Sequence, residues 1–212
     1  EEFNHSTIKL AQVADILEGA IIKRLAMDRA YGVAVLSEGL AEKLDRNDPA
    51  LVNVERDEHD NLRLSEIDIG KILKNEVKKR LDTRGIKITI VDKDIGYELR
   101  CAAPIPFDCE YVRDLGYGAT KLLREGISGA MVALQGGRIV PVYFQDIIDP
   151  LTGKTRIRYV DITTESYAVA RAYMIRLEKT DFSNPEQLAR LAEVAKMTPE
   201  EFKEKFGYGY LS

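Results

Sequence analysis

The chain has 212 residues, 45% of them hydrophobic and 31% charged, with a net charge of −4. That is one large domain or two small ones with an ordinary globular balance, which excludes disordered, collagen-like and disulfide-framework classes. No apolar run approaches the roughly 20 residues of a membrane-spanning helix. The negative balance argues against broad binding to nucleic acid or anionic membranes.

In chain order, residues 7–27 carry Leu10, Val13, Ile16, Leu17, Ala20, Ile21 and Leu25 at helical spacing, behind Ser6 and Thr7 as caps. Residues 31–37 (YGVAVLS) form a short apolar run that reads as a buried parallel strand ending at Glu38-Gly39. Residues 45–64 are polar and aperiodic, a surface insertion. A helix is expected over 65–84, with Ile69, Ile72, Leu73, Val77 and Leu81 on one face and Gly85 as its stop. Residues 87–91 (KITIV) complete a strand–helix–strand crossover, which favours a parallel sheet.

Pro104 and Pro106 precede a further helix over 108–125, with Asp108 in the N-cap place. Residues 130–135 and 138–144 read as strands joined by a hairpin turn at Gly136-Gly137, with Pro141 suited to an edge, and a further strand is expected at 155–160. The tail is helical over 165–178. New helices start at Asn184-Pro185 and at the capping box Thr198-Pro199-Glu200-Glu201. The expected architecture is α/β: a three-layer, mostly parallel Rossmann-like sheet with a late hairpin. Residues 1–178 form the α/β region and 179–212 a helical C-terminal extension.

Several motifs are better explained by structure than by chemistry. Gly153-Lys154-Thr155 lacks the earlier glycine of a phosphate loop, because Ile148 stands there, so it reads as a turn. Gly116-Tyr117-Gly118 lacks the third glycine of a dinucleotide fingerprint and lies inside a helix, so it reads as helix–sheet packing. Asp92-Lys93-Asp94 reads as a solvated loop rather than a magnesium site. Cys101 and Cys109 make no disulfide framework, and His5 and His59 lie far from each other and from any cysteine, so no His/Cys metal site is expected.

Three residues carry the better chemical signal. Glu38 ends a buried strand, where open α/β sheets place ligand groups; it either accepts hydrogen bonds from sugar hydroxyls or caps the following turn. Tyr97 and Arg100 follow the next strand. A guanidinium offers paired donors that suit a phosphate and a phenol adds one directional donor, or else the two form a structural ion pair and a packed ring.

Taken in order, Gly96-Tyr97-Glu98-Leu99-Arg100, Pro106-Phe107-Asp108 and Leu115-Gly116-Tyr117-Gly118-Ala119 resemble the phosphofructokinases, most closely those that use pyrophosphate. Residues 32–39 resemble the family strand that ends in a glutamate–glycine pair, and 129–137 with 139–142 resemble its late hairpin. The resemblance spans about 30–178. It implies that Glu38 holds a hydroxyl of fructose 6-phosphate and that Tyr97 and Arg100 meet its 6-phosphate. Tyr97 stands where ATP-using relatives commonly carry histidine. Departures are Cys101-Ala102 in place of a glycine pair, and Val91 where some relatives place an arginine that reaches a neighbouring subunit.

No glycine-rich donor loop, Asp-containing catalytic segment or Met-Gly-Arg segment occurs, and the first residue is Glu1. The resemblance therefore implies the C-terminal half of a glycolytic, cytoplasmic transferase that is a homo-oligomer, with magnesium bound elsewhere and no catalytic residue in this chain. The implied partners are fructose 6-phosphate and pyrophosphate, with ATP the alternative donor and no nucleic acid or membrane. The alternative reading is a non-catalytic sugar-phosphate-binding or regulatory half.

Overall fold

The computed structural model describes residues 7–37, 39–45, 47–49, 67–150, 153, 155 and 160–209. Two compact units result, one from residues 1–94 with 161–212 and the other from residues 95–160. Among the described residues, helices and one two-stranded antiparallel sheet give an α/β composition.

The first unit is organised by α1 (Leu10–Ala26). Its start is held from both sides of the chain. The Lys9 N–H donates to Gln12 Oε1 at 2.9 Å and the Leu10 N–H to Asp48 Oδ2 at 2.9 Å. These bonds satisfy donors that a helix leaves open at its N-terminus. A single turn, α2 (Leu40–Lys43), is tied to the chain before α1, with Ile8 N–H donating to the Lys43 carbonyl at 2.8 Å. Helix α3 (Ile69–Thr83) is capped by Asp68, which accepts from the Lys71 N–H at 2.8 Å. It closes at Gly85, whose φ of +68° suits glycine, with Ile86 N–H returning to the Leu81 carbonyl at 2.9 Å. Leu73, Val77 and Leu81, four apart, give α3 its buried stripe.

Four further helices complete this unit: α7 (Glu165–Tyr173), α8 (Lys179–Ser183), α9 (Pro185–Ala195) and α10 (Pro199–Phe206). The last two start as their sequences predict. Asn184 accepts from the Glu186 and Gln187 N–H groups, and Thr198 and Glu201 cap each other reciprocally at 3.2 and 2.8 Å. Two cores share α1. One joins Val13 and Ala14 to α3. The other joins Ile22 and Ala26 to Leu177, Phe182, Leu191, Phe202 and Phe206. Phe202 lies between Phe182, on which it stacks at 6.1 Å between ring centroids, and Phe206, whose ring is tilted against it at 4.8 Å.

On α1 the fully buried Glu18 meets Arg84 at 2.8 Å, Lys205 at 3.0 Å and Arg80 at 3.8 Å. Arg80 also binds Asp15 at 2.7 Å, and Tyr208 donates to Asp15 at 3.1 Å. Burial raises the Asp15 carboxyl above its ordinary range, against the pull of Arg80. This ion cluster links α1, α3 and the C-terminal helix.

The second unit holds α4 (Tyr97–Arg100), α5 (Pro106–Arg124), β1 (Ala130–Gln135), β2 (Arg138–Tyr143) and α6 (Phe144–Ile147). The strands pair antiparallel from Ala130 opposite Tyr143 to Gln135 opposite Arg138. Gly136 and Gly137 have φ of +55° and +74°, the left-handed pair that a two-residue hairpin turn needs. Helix α5 lies on this hairpin at Gly118, where an added Cβ would stand 2.9 Å from both Val132 and Ile139. That is the helix–sheet packing expected of Gly118. Gly116 has nothing within 4 Å.

Several sequence expectations are revised. The N-cap of α5 is Ile105, and Pro106 takes the first helical position. Asp108 therefore sits two positions further in, because proline favours the first turn and displaces the start upstream. The helix expected over 165–178 stops at Tyr173. The runs 31–37 and 87–91 carry no strand pairing among the described residues, where the only sheet is β1–β2. Around the second run, burial nonetheless alternates as in a strand. Ile86, Ile88 and Ile90 are half-buried against the α1–α3 core, while Lys87, Thr89 and Val91 are exposed. Residues 46 and 50–64 of the expected insertion, 65–66 of the expected helix and 156–159 of the expected late strand lie outside the described residues.

Candidate functional site

Tyr97 and Arg100 stand at the two ends of α4. Gly96 builds this turn: its carbonyl accepts from the Leu99 and Arg100 N–H groups, each at 3.2 Å, and its own N–H leans on Glu98 Oε2 at 3.5 Å. The Ala102 N–H extends the turn to the Leu99 carbonyl at 3.3 Å. Arg100 is exposed, as are Leu99 and Cys101. A short helical turn thus holds a guanidinium at the surface, where paired N–H donors suit a phosphate. Glu38 lies outside the described residues. Only Tyr97 and Arg100 are therefore brought together here.

The connection from α4 into α5 is short and stiff. Asp108 Oδ2 accepts from the Ile105 N–H at 2.9 Å, and the Ile105 carbonyl accepts from the Cys109 N–H at 3.1 Å. Just beyond, Phe107 and Tyr111 stack 5.8 Å apart at an interplanar angle of 9°. Phe107 is 67% exposed.

Other motifs resolve into structure. Asp92 is bound by Lys74, whose hydrogen bond lowers its pKa below the ordinary carboxylate value. Gly153 has φ of +65° and donates to the Asp149 carbonyl at 2.8 Å, which is a turn. Among the described residues no group of three or more His, Cys, Asp or Glu side chains is placed to hold a metal ion. These residues thus make no fit for magnesium. Nor is any described helix long and apolar enough to cross a membrane.

Sequence reasoning passed over Glu18. The signal was available: Ala14, Glu18 and Ile22 are four apart, so a carboxylate falls on the buried stripe of α1.

Comparison with known proteins adds relatives. The chain is 51% identical over 213 residues to a pyrophosphate–fructose 6-phosphate 1-phosphotransferase of Thermotoga maritima, covering 97% of this chain and 50% of that protein. To the protein of the same name from Naegleria fowleri it is 43% identical, covering 95% of this chain and 47% of the relative. The chain is a homologue of these phosphotransferases. A plant relative, the beta 1 subunit from Arabidopsis thaliana, is 27% identical over 67% of the chain. No family model matches the chain. The resemblance to pyrophosphate-using phosphofructokinases read from residues 30–178 thus extends to nearly the whole chain, which spans about half the length of the curated relatives it matches.

Proposed function

We propose that this chain is the acceptor-binding, C-terminal half of a pyrophosphate-dependent phosphofructokinase. The observation that carries the reading is the 51% identity spread over 97% of the chain, to a relative named for pyrophosphate and fructose 6-phosphate. In the whole protein, the 1-hydroxyl oxygen of fructose 6-phosphate attacks a phosphorus of pyrophosphate. The bridging P–O bond breaks, inorganic phosphate leaves, and the hydroxyl proton passes to a base. This is phosphoryl transfer by positioning and charge stabilisation. The base, the donor loop and the magnesium ligands belong to the other half.

The present chain orients the acceptor. Arg100, with Tyr97 beside it on α4, takes the 6-phosphate, and Glu38 accepts from a sugar hydroxyl. Support for the role of Arg100 and Tyr97 is local: both residues share one hydrogen-bonded turn, and Arg100 is exposed. The same reading includes a cytoplasmic homo-oligomer, a three-layer parallel sheet in the α/β region of residues 1–178, and 179–212 as a helical extension. The strand-like burial of Ile86, Ile88 and Ile90 supports the sheet, as does the exposure of Tyr31, Val33 and Val35 at 80–93%. Such β-branched runs gain most when buried in a parallel sheet.

The test is steady-state kinetics in the full-length protein. A charge-assisted hydrogen bond contributes about 1.5–3 kcal/mol, so Arg100→Ala should raise KM for fructose 6-phosphate roughly ten- to a hundredfold. Arg100→Lys should recover part of this, and KM for pyrophosphate should hold. Parent-like constants in Arg100→Ala would return Arg100 to the role of a surface ion-pair partner.

A further inference from the structure

The link between α4 and α5 has little freedom. Pro104 and Pro106 each fix their own φ, and Ile105, standing before a proline, is confined to extended conformations. Its observed angles, φ −86° and ψ 167°, agree. Neither proline has an N–H, so Ile105 supplies the only backbone donor of the three, and that donor is spent on Asp108 Oδ2 at 2.9 Å. On the other side Ala102 is already bonded back to Leu99. Ala103 also stands before a proline, so of the residues joining Arg100 to α5 only Cys101 keeps ordinary backbone freedom.

We infer that Asp108 is a positioning residue for the acceptor site. By binding the Ile105 N–H it sets the direction in which the Pro104–Pro106 strut leaves α5, and so the place at which α4 presents Arg100. The inference rests on the proposed role of Arg100. Asp108 itself touches no substrate; its carboxylate is occupied by the strut and by the α5 start it caps. Half-buried Asp108 stands close in sequence to the stacked Phe107 and Tyr111, which stiffen the same first turns.

The experiment is a double-mutant cycle in the full-length protein, with KM and kcat measured for each substrate and thermal melting alongside. Loss of a helix-capping acceptor is worth about fivefold in an equilibrium, so Asp108→Ala should raise KM for fructose 6-phosphate about fivefold. It should leave KM for pyrophosphate within about twofold, the ordinary spread of a distant surface change. Asp108→Glu, the residue type usual at this place in a capping box, should restore the parent value. In an Arg100→Ala background the Asp108→Ala effect on KM should vanish, because the residue through which it acts is gone. Asp108→Ser serves as the milder variant if Asp108→Ala does not fold, with the same split at smaller size. Equal effects in both backgrounds, equal effects on both substrates, or no change in KM for fructose 6-phosphate would overturn the inference alone. Parent constants in the single Arg100→Ala variant would overturn both it and the proposed site.

Discussion

The two units of this chain use similar apolar content in opposite ways. The first unit buries it in two cores around α1, with Leu73, Leu81, Leu191 and Phe202 at 1% exposure or less. In the second unit, only Gly118 and Leu122 are buried among the described residues, while Ile95, Phe107, Tyr117 and Leu123 stand 64–75% exposed. One unit is held by apolar burial, the other by local hydrogen bonding: a capped helix, a glycine turn and a two-stranded ladder. A lone hairpin is marginal in water, and even with one helix on it the second unit depends on backbone geometry. The lesson is that order in a segment and burial of that segment are separate properties. Tyr97 and Arg100 belong to the unit where order comes from local bonds.

Five substitutions or conditions can break this contrast. The largest effect is expected from Phe202→Ala, which empties the middle of the three-ring cluster. A buried Phe→Ala change costs about 3–5 kcal/mol, so chemical denaturation should show the first unit strongly destabilised. A cost near that of a surface change would mean that the second core is not what holds α10. Glu18→Gln comes next. It keeps the shape but removes the charge facing Arg84, Lys205 and Arg80, and breaking such a buried cluster costs about 3 kcal/mol. Hydrogen exchange should report the loss in α10 and at the end of α3; unchanged protection there would leave the cluster without a structural role.

The remaining effects, two in the second unit and one in the first, are smaller. Gly118→Ala should cost about 1–3 kcal/mol, since its Cβ meets Val132 and Ile139 at 2.9 Å. Leu123→Ser, at 75% exposure, should stay within about 0.5 kcal/mol. A large cost for Leu123→Ser would show that this face is covered in the working protein. The smallest effect is that of pH on the Asp92–Lys74 pair. Because the Asp92 pKa is lowered, its stabilising contribution is present above the ordinary carboxylate range and is lost as pH falls through the lowered value. Asp15, raised by burial, acts in the opposite sense: its contribution is lost as pH rises through its raised value. Melting curves of Asp92→Asn should therefore lose some of the decline expected of the parent on acidification below about pH 4. Identical acid profiles for parent and variant would remove Asp92 from that account.

How much of this was legible in the sequence follows the range of each interaction. Helix starts at Asn184-Pro185 and Thr198-Pro199, the stop at Gly85 and the hairpin at Gly136-Gly137 depend on neighbours within four residues, and the structure has them where the sequence puts them. The start of α5 slipped because Asp108 and Pro106 both signal a helix beginning, and proline wins the first position. The runs 31–37 and 87–91 read as strands from side-chain type alone. A strand is completed only by a neighbour, and none pairs with them among the described residues. For the candidate site, the pairing of Tyr97 with Arg100 on one turn was foreseeable from their spacing of three. The bond from Ile105 to Asp108 became visible only when the helix start was located.

Helix α1 is also a matter of timing. Its partners lie at the far end of the chain: Lys23 pairs with Asp181, 158 residues later, and Ile22 packs against Phe202 and Phe206. At roughly 5–20 residues per second of synthesis, that face of α1 waits on the order of 10–30 s for its cover. During that interval Ile22 and Ala26 face solvent, and the ribosome-bound chain presents an unpaired apolar stripe to whatever chaperone is nearby. The unit that buries its apolar side chains most deeply when finished is the one that waits longest for its cover.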